Sequence, residues 1–381
     1  MKFSAVSAPA PGGGGVSRRS GWGWRAGGWG AALLLLAGCC STPRGKPLQR
    51  YEFTHPAMGT LMRITLYAPD PGAARAAAGA AFQRIDALED ILSDYQADSE
   101  LNRLRDHPSG TPVPVSAELF DVLQRACEVA RLSDGAFDPT IGPFVRLWRF
   151  SRKRGVLPTA AEIAAARAAV GWRKLALDPR ARTVTLRVPG MRLDLGSIGK
   201  GYAADQALRL LKERGINRAL VAASGDLAIG DPPPGRRGWR VALAGFAGDT
   251  NGLPAPLRLR NAGVSTAGDA EQFIVIDGVR YSHIVDPATG FGLTRRIQTT
   301  VIGPDATTSD SLDTAVSLLG VKRGLALVDS WPRAAALILT QENGRTQSVA
   351  SRRFRKLAPS WPASSPAMRG RPRRGLPDPP P

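Results

Sequence analysis

The chain has 381 residues, 43% of them hydrophobic and 22% charged, with 51 Lys and Arg against 32 Asp and Glu for a net charge of +19. Three cysteines and three histidines exclude a disulfide-stapled scaffold and a multi-histidine zinc centre. Nor does the charge argue for nucleic acid. The four cations of residues 1–38 and the eight of 351–381, set against Asp378 alone, carry more than half of the excess, and no basic stretch is interleaved with aromatics.

In chain order, residues 1–38 join a basic segment (Lys2, Arg18, Arg19, Arg25) to the apolar run Ala31–Leu36, the layout of an export signal too short to span a bilayer. Leu36-Ala37-Gly38-Cys39 has the form of a bacterial lipobox, so Cys39 is expected to be lipidated and to anchor the chain to the cell envelope. It would face the periplasm, with the inner membrane the expected site. Residues 39–50 read as a tether, 51–350 as one folded domain and 351–381 as a disordered basic Pro/Arg-rich tail. Alternation predicts a strand over 61–67, and helical spacing predicts helices over 72–92, 116–132 and 160–170. Strands at 174–177 and 183–188 flank a turn, a helix spans 201–214 and a short buried strand spans 219–223. Asp277-Gly278 between alternating segments marks a hairpin over 272–284. A strand at 298–302, helices at 309–320 and 321–329 and strands near 334–340 and 346–349 follow. Without regular βαβ alternation, the expected class is α+β, with mixed or antiparallel sheets and packed helices. Cys127, in the apolar stretch 126–130, reads as a core residue.

Five segments are able to carry chemistry, of which Ala223-Ser-Gly-Asp-Leu227 either lets a ligand or another backbone approach closely or is a tight strand connection. Over 308–315 (Thr-Ser-Asp-Ser-Leu-Asp-Thr-Ala), Asp310, Asp313 and Thr314 fall on one helical face and offer hard oxygen ligands suited to Mg2+ or Ca2+. The same pattern is that of a capped helix with acids at its positive end. Asp194-Leu-Gly-Ser-Ile-Gly-Lys200 leaves a strand through small residues into a helix, a turn whose N–H groups suit phosphate. Lys200 there opposes the helix dipole, a conflict that a phosphate or an acidic neighbour would relieve. His283, in Tyr281–Gly290, is a candidate general base. The turn-rich segment 133–143 is expected to present Phe137 to a planar ligand.

Taken together and in order, these segments resemble the FAD:protein FMN transferase family (ApbE family). The resemblance is carried by His55–Thr60, Leu92–Tyr95, Asp134–Trp148, Asp194–Asp205, Ser224–Asp226, Ser265–Asp269, Tyr281–Gly290 and Asp310–Thr314. It departs at Ser265-Thr266-Ala267-Gly268, where many members have Thr-Ser-Gly. The resemblance implies cleavage of FAD at its pyrophosphate and transfer of FMN to a threonine of an acceptor flavoprotein, with Mg2+ as cofactor. By position it implies that Met58, Tyr95, Ala136, Phe137, Asp138, Asp194, Lys200 and Ile284 contact FAD. It further implies that Asp310, Asp313, Thr314 and the carbonyl of Ser197 hold the metal, and that His283 is the base. Periplasm-facing subunits of respiratory electron-transport complexes are the implied acceptors. Two alternatives stay open on sequence: a FAD pyrophosphatase using water as nucleophile, and a non-catalytic flavin-binding protein, which would need neither the carboxylates nor His283.

Overall fold

The computed structural model describes residues 47–246, 253–268, 272–361 and 368–369; the export segment and Cys39 lie outside these. From Gln49 onward the elements are β1 (Gln49–Ala57), β2 (Thr60–Ala68), α1 (Pro71–Leu92), α2 (Glu100–Arg103), β3 (Val113–Pro114), α3 (Ala117–Leu132), α4 (Gly142–Arg154), α5 (Ala160–Ala169), β4 (Leu175–Asp178) and β5 (Thr183–Leu186). Next come α6 (Gly199–Glu213), β6 (Ala219–Ala223), β7 (Asp226–Ile229), β8 (Trp239–Val241), β9 (Leu257–Leu259), β10 (Ala262–Gly268), β11 (Phe273–Ile276) and β12 (Val279–Ser282). The last are β13 (Arg296–Gly303), α7 (Ala306–Ser330), β14 (Ala335–Glu342), β15 (Arg345–Ala350), α8 (Arg352–Leu357) and β16 (Met368–Arg369).

The scaffold is a nine-stranded sheet ordered β1-β2-β6-β7-β10-β13-β14-β15-β16, and every pairing in it is antiparallel. Its spatial order is therefore its chain order. The helices and small hairpins are excursions inserted into one long meander, and the class is α+β, as expected. Period-two alternation divides the core. Ala336 and Ile338 of β14 point to the side covered by α1, α6 and α7, whereas Ala335, Leu337 and Leu339 point to a second cluster with Trp239, Phe354 and Trp361.

The folded unit is longer at both ends than the sequence suggested. β1 starts inside the segment read as a tether and pairs residue for residue with β2. Beyond Ala350, Ser351 caps α8 by accepting from the Phe354 amide at 3.3 Å, and it accepts the Ala336 amide at 2.9 Å. Phe354 is fully buried, with Trp361 edge-on to it at 5.9 Å. Two buried aromatics outweigh the Pro/Arg composition that made 351–361 look like tail; Pro362–Pro381, apart from β16, lie outside the described residues. α4 has no counterpart in the sequence reading. Its start resembles a turn, but Pro143 at the first helical positions is a helix-opening signal. The two helices expected over 309–329 form one run broken at Gly320 (φ 74°, ψ −175°), where Arg295 Nη2 donates to the Ser317 and Leu318 carbonyls at 2.6 Å each.

Candidate active site

The centre of the site is a cluster of buried carboxylates where α6 and α7 meet the sheet. Asp305 caps α7, accepting from the Thr308 amide at 2.7 Å. Asp205 of α6 clamps the same end: its carboxylate accepts from the Ala306 and Thr307 amides (3.0 and 2.8 Å) and from the Thr307 hydroxyl (2.6 Å). One turn earlier on α6, only a glycine fits. A Cβ at Gly201 would stand 2.3 Å from the Ala306 carbonyl oxygen and 2.9 Å from Asp310 Cβ. That close approach lets the Gly201 amide donate to Asp310 at 2.9 Å.

Asp226, at the start of β7, completes the cluster. The β7–β10 register pairs Leu227 with Val264 and so brings Ser265 beside Asp226. Ser265 Oγ contacts Asp226 Oδ1 and lies 2.5 Å from Asp313 Oδ2. Lys200 Nζ reaches Asp226 at 2.9 Å and Asp310 at 3.6 Å. The acidic neighbour that its position at a helix N-terminus called for is therefore present. Burial works against the Lys200 charge, but Asp226 and Asp310 outweigh it and hold the ammonium above its ordinary range. Burial, then the repulsion of Asp226, pushes Asp310 up to about 7. Burial, Asp310 and Asp226 raise Asp313 well above the usual carboxylate range. Three carboxylates share one ammonium, and one hydroxyl proton serves two of them. Such a cluster is short of positive charge, and its hard oxygens match a divalent cation such as Mg2+. Thr314, half-buried beside Asp313, adds a hydroxyl at 3.2 Å from its carboxylate.

The turn that ends in Lys200 forms one wall. Asp194 Oδ1 accepts from the Gly196 amide at 2.9 Å, and Lys200 Nζ lies 3.3 Å from the Gly196 carbonyl, with half-buried Ser197 between them. Burial, followed by repulsion from Asp94, lifts Asp194 to about 6. Arg149 of α4 pairs with Asp94, approaches Asp194 to 3.7 Å and lies over the Tyr95 ring at 3.9 Å. Tyr95 is 79% exposed, an aromatic platform with its outer face open. Met58 takes a left-handed backbone (φ 52°), held by its amide to Glu89 at 2.8 Å, with its methyl group close to Gly199.

Other sequence candidates serve the scaffold through their side chains. Phe137 is turned into the core at 3% exposure, and its amide donates to Ser133 Oγ at 3.1 Å. It presents no ring to a ligand, which corrects the reading of that loop. Asp138 accepts from the Thr140 amide and hydroxyl (2.8 and 2.6 Å) and from the Trp172 amide (2.9 Å), a buried staple adjoining half-buried Ala136. Ile284 packs in the main core. At Phe137 and Ile284, whose side chains are buried, what remains for a ligand is backbone.

His283 is exposed just after β12, and its Nδ1 lies 3.1 Å from the Gln272 carbonyl oxygen. A carbonyl only accepts, so this contact selects the Nδ1–H tautomer and leaves Nε2 as the ring's basic nitrogen. The segment after it is braced: Trp148 Nε1 donates to the Gly290 carbonyl at 2.8 Å, and Arg167 donates to the Ala288 and Thr289 carbonyls at 2.8 Å each. Sequence spacing missed Arg149 altogether, and Asp205 was noted only as the end of the motif Asp194–Asp205. It noted Asp226 and Ser265 only within motifs, because their proximity depends on long-range strand register.

The family model described as the ApbE family matches residues 58–338. The chain is 31% identical over 326 residues to a FAD:protein FMN transferase of Vibrio cholerae, covering 84% of this chain and 95% of that one. It is 33% identical over 322 residues to one of Salmonella typhimurium, covering 82% and 92%. Among solved structures, the flavin transferase ApbE from Vibrio cholerae superposes with a TM-score of 0.74 at 28% identity, over 82% of this chain and 100% of that one. The apo flavinyl transferase ApbE of Pseudomonas stutzeri superposes with a TM-score of 0.73 at 30% identity, over 82% and 98%.

Proposed function

This chain belongs to the ApbE family, and on that premise we propose that it is a FAD:protein FMN transferase, which attaches FMN to a threonine of another protein through a phosphoester bond and releases AMP. The observation that carries the chemistry is the buried Asp226–Asp310–Asp313 cluster with its single ammonium, beside the turn 194–200 and the exposed Tyr95.

Asp310, Asp313 and Thr314, with the Ser197 carbonyl, would hold Mg2+. When bound, it neutralises charge on the pyrophosphate oxygens. Asp226 and Lys200 complete the charge balance around those ligands, and Lys200 is the cation nearest the phosphate-suited turn. Tyr95, with Arg149 behind it, suits a planar ring, while Met58, the backbone of 136–138, Asp194 and Ile284 line the remainder. His283 Nε2 takes the proton of the acceptor threonine as its oxygen bonds to the FMN phosphorus. The bond from that phosphorus to the AMP phosphate breaks, and AMP leaves with the electron pair. A base so placed contributes roughly 10²–10⁴-fold. The acceptors are periplasm-facing subunits of respiratory electron-transport complexes, and a lipid on Cys39 holds the enzyme at the membrane they occupy. Among the described residues, no helix is long and apolar enough to cross a membrane.

Purified protein, FAD, Mg2+ and a threonine-bearing flavoprotein domain should yield FMN on threonine by mass spectrometry, with stoichiometric AMP. Equally fast FMN and AMP release without an acceptor would make the protein a FAD pyrophosphatase. Retention of intact FAD under all conditions would make it a flavin-binding protein.

A further inference from the structure

A second feature lies beside this site and shares Arg149 with it. α4 carries Arg146, Arg149, Phe150 and Lys153 along one face, at spacings of three and four residues. That face, with Arg105, Arg192 and Asp94, lines a cavity of about 250 Å³. Its floor is fixed to the active-site turn: a Cβ on Gly142 would meet the Arg192 backbone at 2.7 Å, so the start of α4 is seated directly on the segment leading into Asp194.

The cavity's charge is unbalanced. Five cations and one acid line it, and the acid, Asp94, is already paired with Arg149. Asp106 at the edge stands 3.9 Å from Arg105. Among the described residues, Arg146, Lys153 and Arg192 make no ion pair, and Arg146 instead lies 5.5 Å over the ring of Phe150, which is 42% exposed. Burial, then repulsion from Arg105 and Arg146, pushes the Arg192 guanidinium below its ordinary range. Cations that repel one another in a concave site are an unmet demand for negative charge.

We propose that this cavity is the docking site for an acidic segment of the acceptor protein, which seats the target threonine beside the flavin site. This rests on the transferase reading, which requires a protein partner to dock against the active-site mouth. Concavity favours a chain segment over a flat membrane surface. Arg149 joins the two sites, since it contacts Asp94 in the cavity wall, Asp194 in the active-site turn and the Tyr95 ring.

The test is the double reversal Arg146→Glu/Lys153→Glu, at two exposed positions of α4. The acceptor is a flavoprotein domain that the Vibrio cholerae transferase modifies in parallel reactions. The acceptor KM should rise about tenfold or more at low salt, and the increase should largely vanish at about 1 M salt, where screening acts over roughly 3 Å. The rate at saturating acceptor and the Kd for FAD should stay at wild-type values, and an octaglutamate peptide should inhibit only the wild type. An unchanged acceptor KM overturns the docking site. Weaker FAD binding with an unchanged acceptor KM assigns the cavity to FAD instead. Loss of binding to anionic phosphatidylglycerol vesicles with an unchanged acceptor KM assigns it to lipid. A wild-type enzyme inactive on an acceptor that the Vibrio enzyme modifies refutes the transferase reading itself, a separate failure.

Discussion

Gly201→Ala tests whether the closeness of α6 and α7 builds the site. The added methyl would stand 2.3 Å from the Ala306 carbonyl oxygen and 2.9 Å from Asp310 Cβ, and both contacts are with main chain or the root of a side chain. Neither can swing aside, so the helices must separate. Overpacking of this kind costs about 1–3 kcal/mol. Separation also weakens the 2.9 Å bond from the Gly201 amide to the Asp310 carboxylate, a class of bond worth roughly 1.5–3 kcal/mol. Alanine's better helix propensity returns about 1 kcal/mol. The net is a loss of roughly 1.5–5 kcal/mol, which at about 2–4 °C per kcal/mol lowers Tm by roughly 3–20 °C. Gly79→Ala is the control. It lies mid-helix in α1 with nothing within 4 Å of the new methyl, so the same substitution should stabilise by up to about 1 kcal/mol. Thermal unfolding by circular dichroism reads both, and Mg2+-dependent FAD turnover reads the site. Wild-type Tm and turnover for Gly201→Ala would refute the close-approach argument; equal losses in both variants would show only that the fold resists alanine.

Mg2+ at 100 times its Kd should stabilise the wild type by about 2.7 kcal/mol; Asp310→Ala should lose both this gain and FMN transfer, and a Mg2+-dependent Tm rise in the variant would sink the metal assignment. His283→Ala should keep its affinity for FAD while transfer slows by roughly 10²–10⁴-fold; weaker FAD binding at an unchanged rate would make His283 a binding residue. The pH dependence of stability tests Asp205, whose carboxyl is raised to about 6 by burial and then by Asp305. A folded pKa above the unfolded one means that the native state binds more protons between pH 4 and 6, so this group's contribution falls as pH rises through that window. In urea denaturation, the stability advantage of wild type over Asp205→Asn should therefore shrink from pH 4 to pH 6 and level off near pH 7. A pH-independent difference would show that Asp205 does not titrate as its surroundings require.

Much of the fold was legible because its signals are local. The Asp277-Gly278 turn, with φ of 49° and 75°, joins β11 to β12 as its residues demand. Gly320 divides the two halves of α7 that the pattern assigned to separate helices. Asp310 and Asp313 share a face because 3.6-residue periodicity leaves no other choice. What stayed hidden was long-range or masked by composition. Asp226 joins the cluster through the β7–β10 register, which no spacing within residues 224–226 reveals. Phe137 looked like a presented aromatic because its neighbours are turn formers, yet its ring packs into the main core. α4 was missed because Pro139, Gly142 and Pro143 make its start read as a turn, although its buried side carries Phe144 and Trp148 at helical spacing.

Lys200 ties these levels together. As sequence, it is a cation placed against a helix dipole. As structure, it neutralises part of a carboxylate cluster that would otherwise be costly to bury, at 2.9 Å from Asp226 and 3.6 Å from Asp310. The same pairing limits what Lys200 is able to do. An ammonium held by two buried acids is a fixed positive charge and a poor proton donor, so its part in the reaction is electrostatic. Lys200→Met should then tighten Mg2+ binding and destabilise the metal-free protein more than the Mg2+-bound one, because the metal replaces the missing charge. Thermal shifts with and without Mg2+ measure that difference directly. An equal loss of Tm in both states would mean that Lys200 does not share the cluster's charge with the metal.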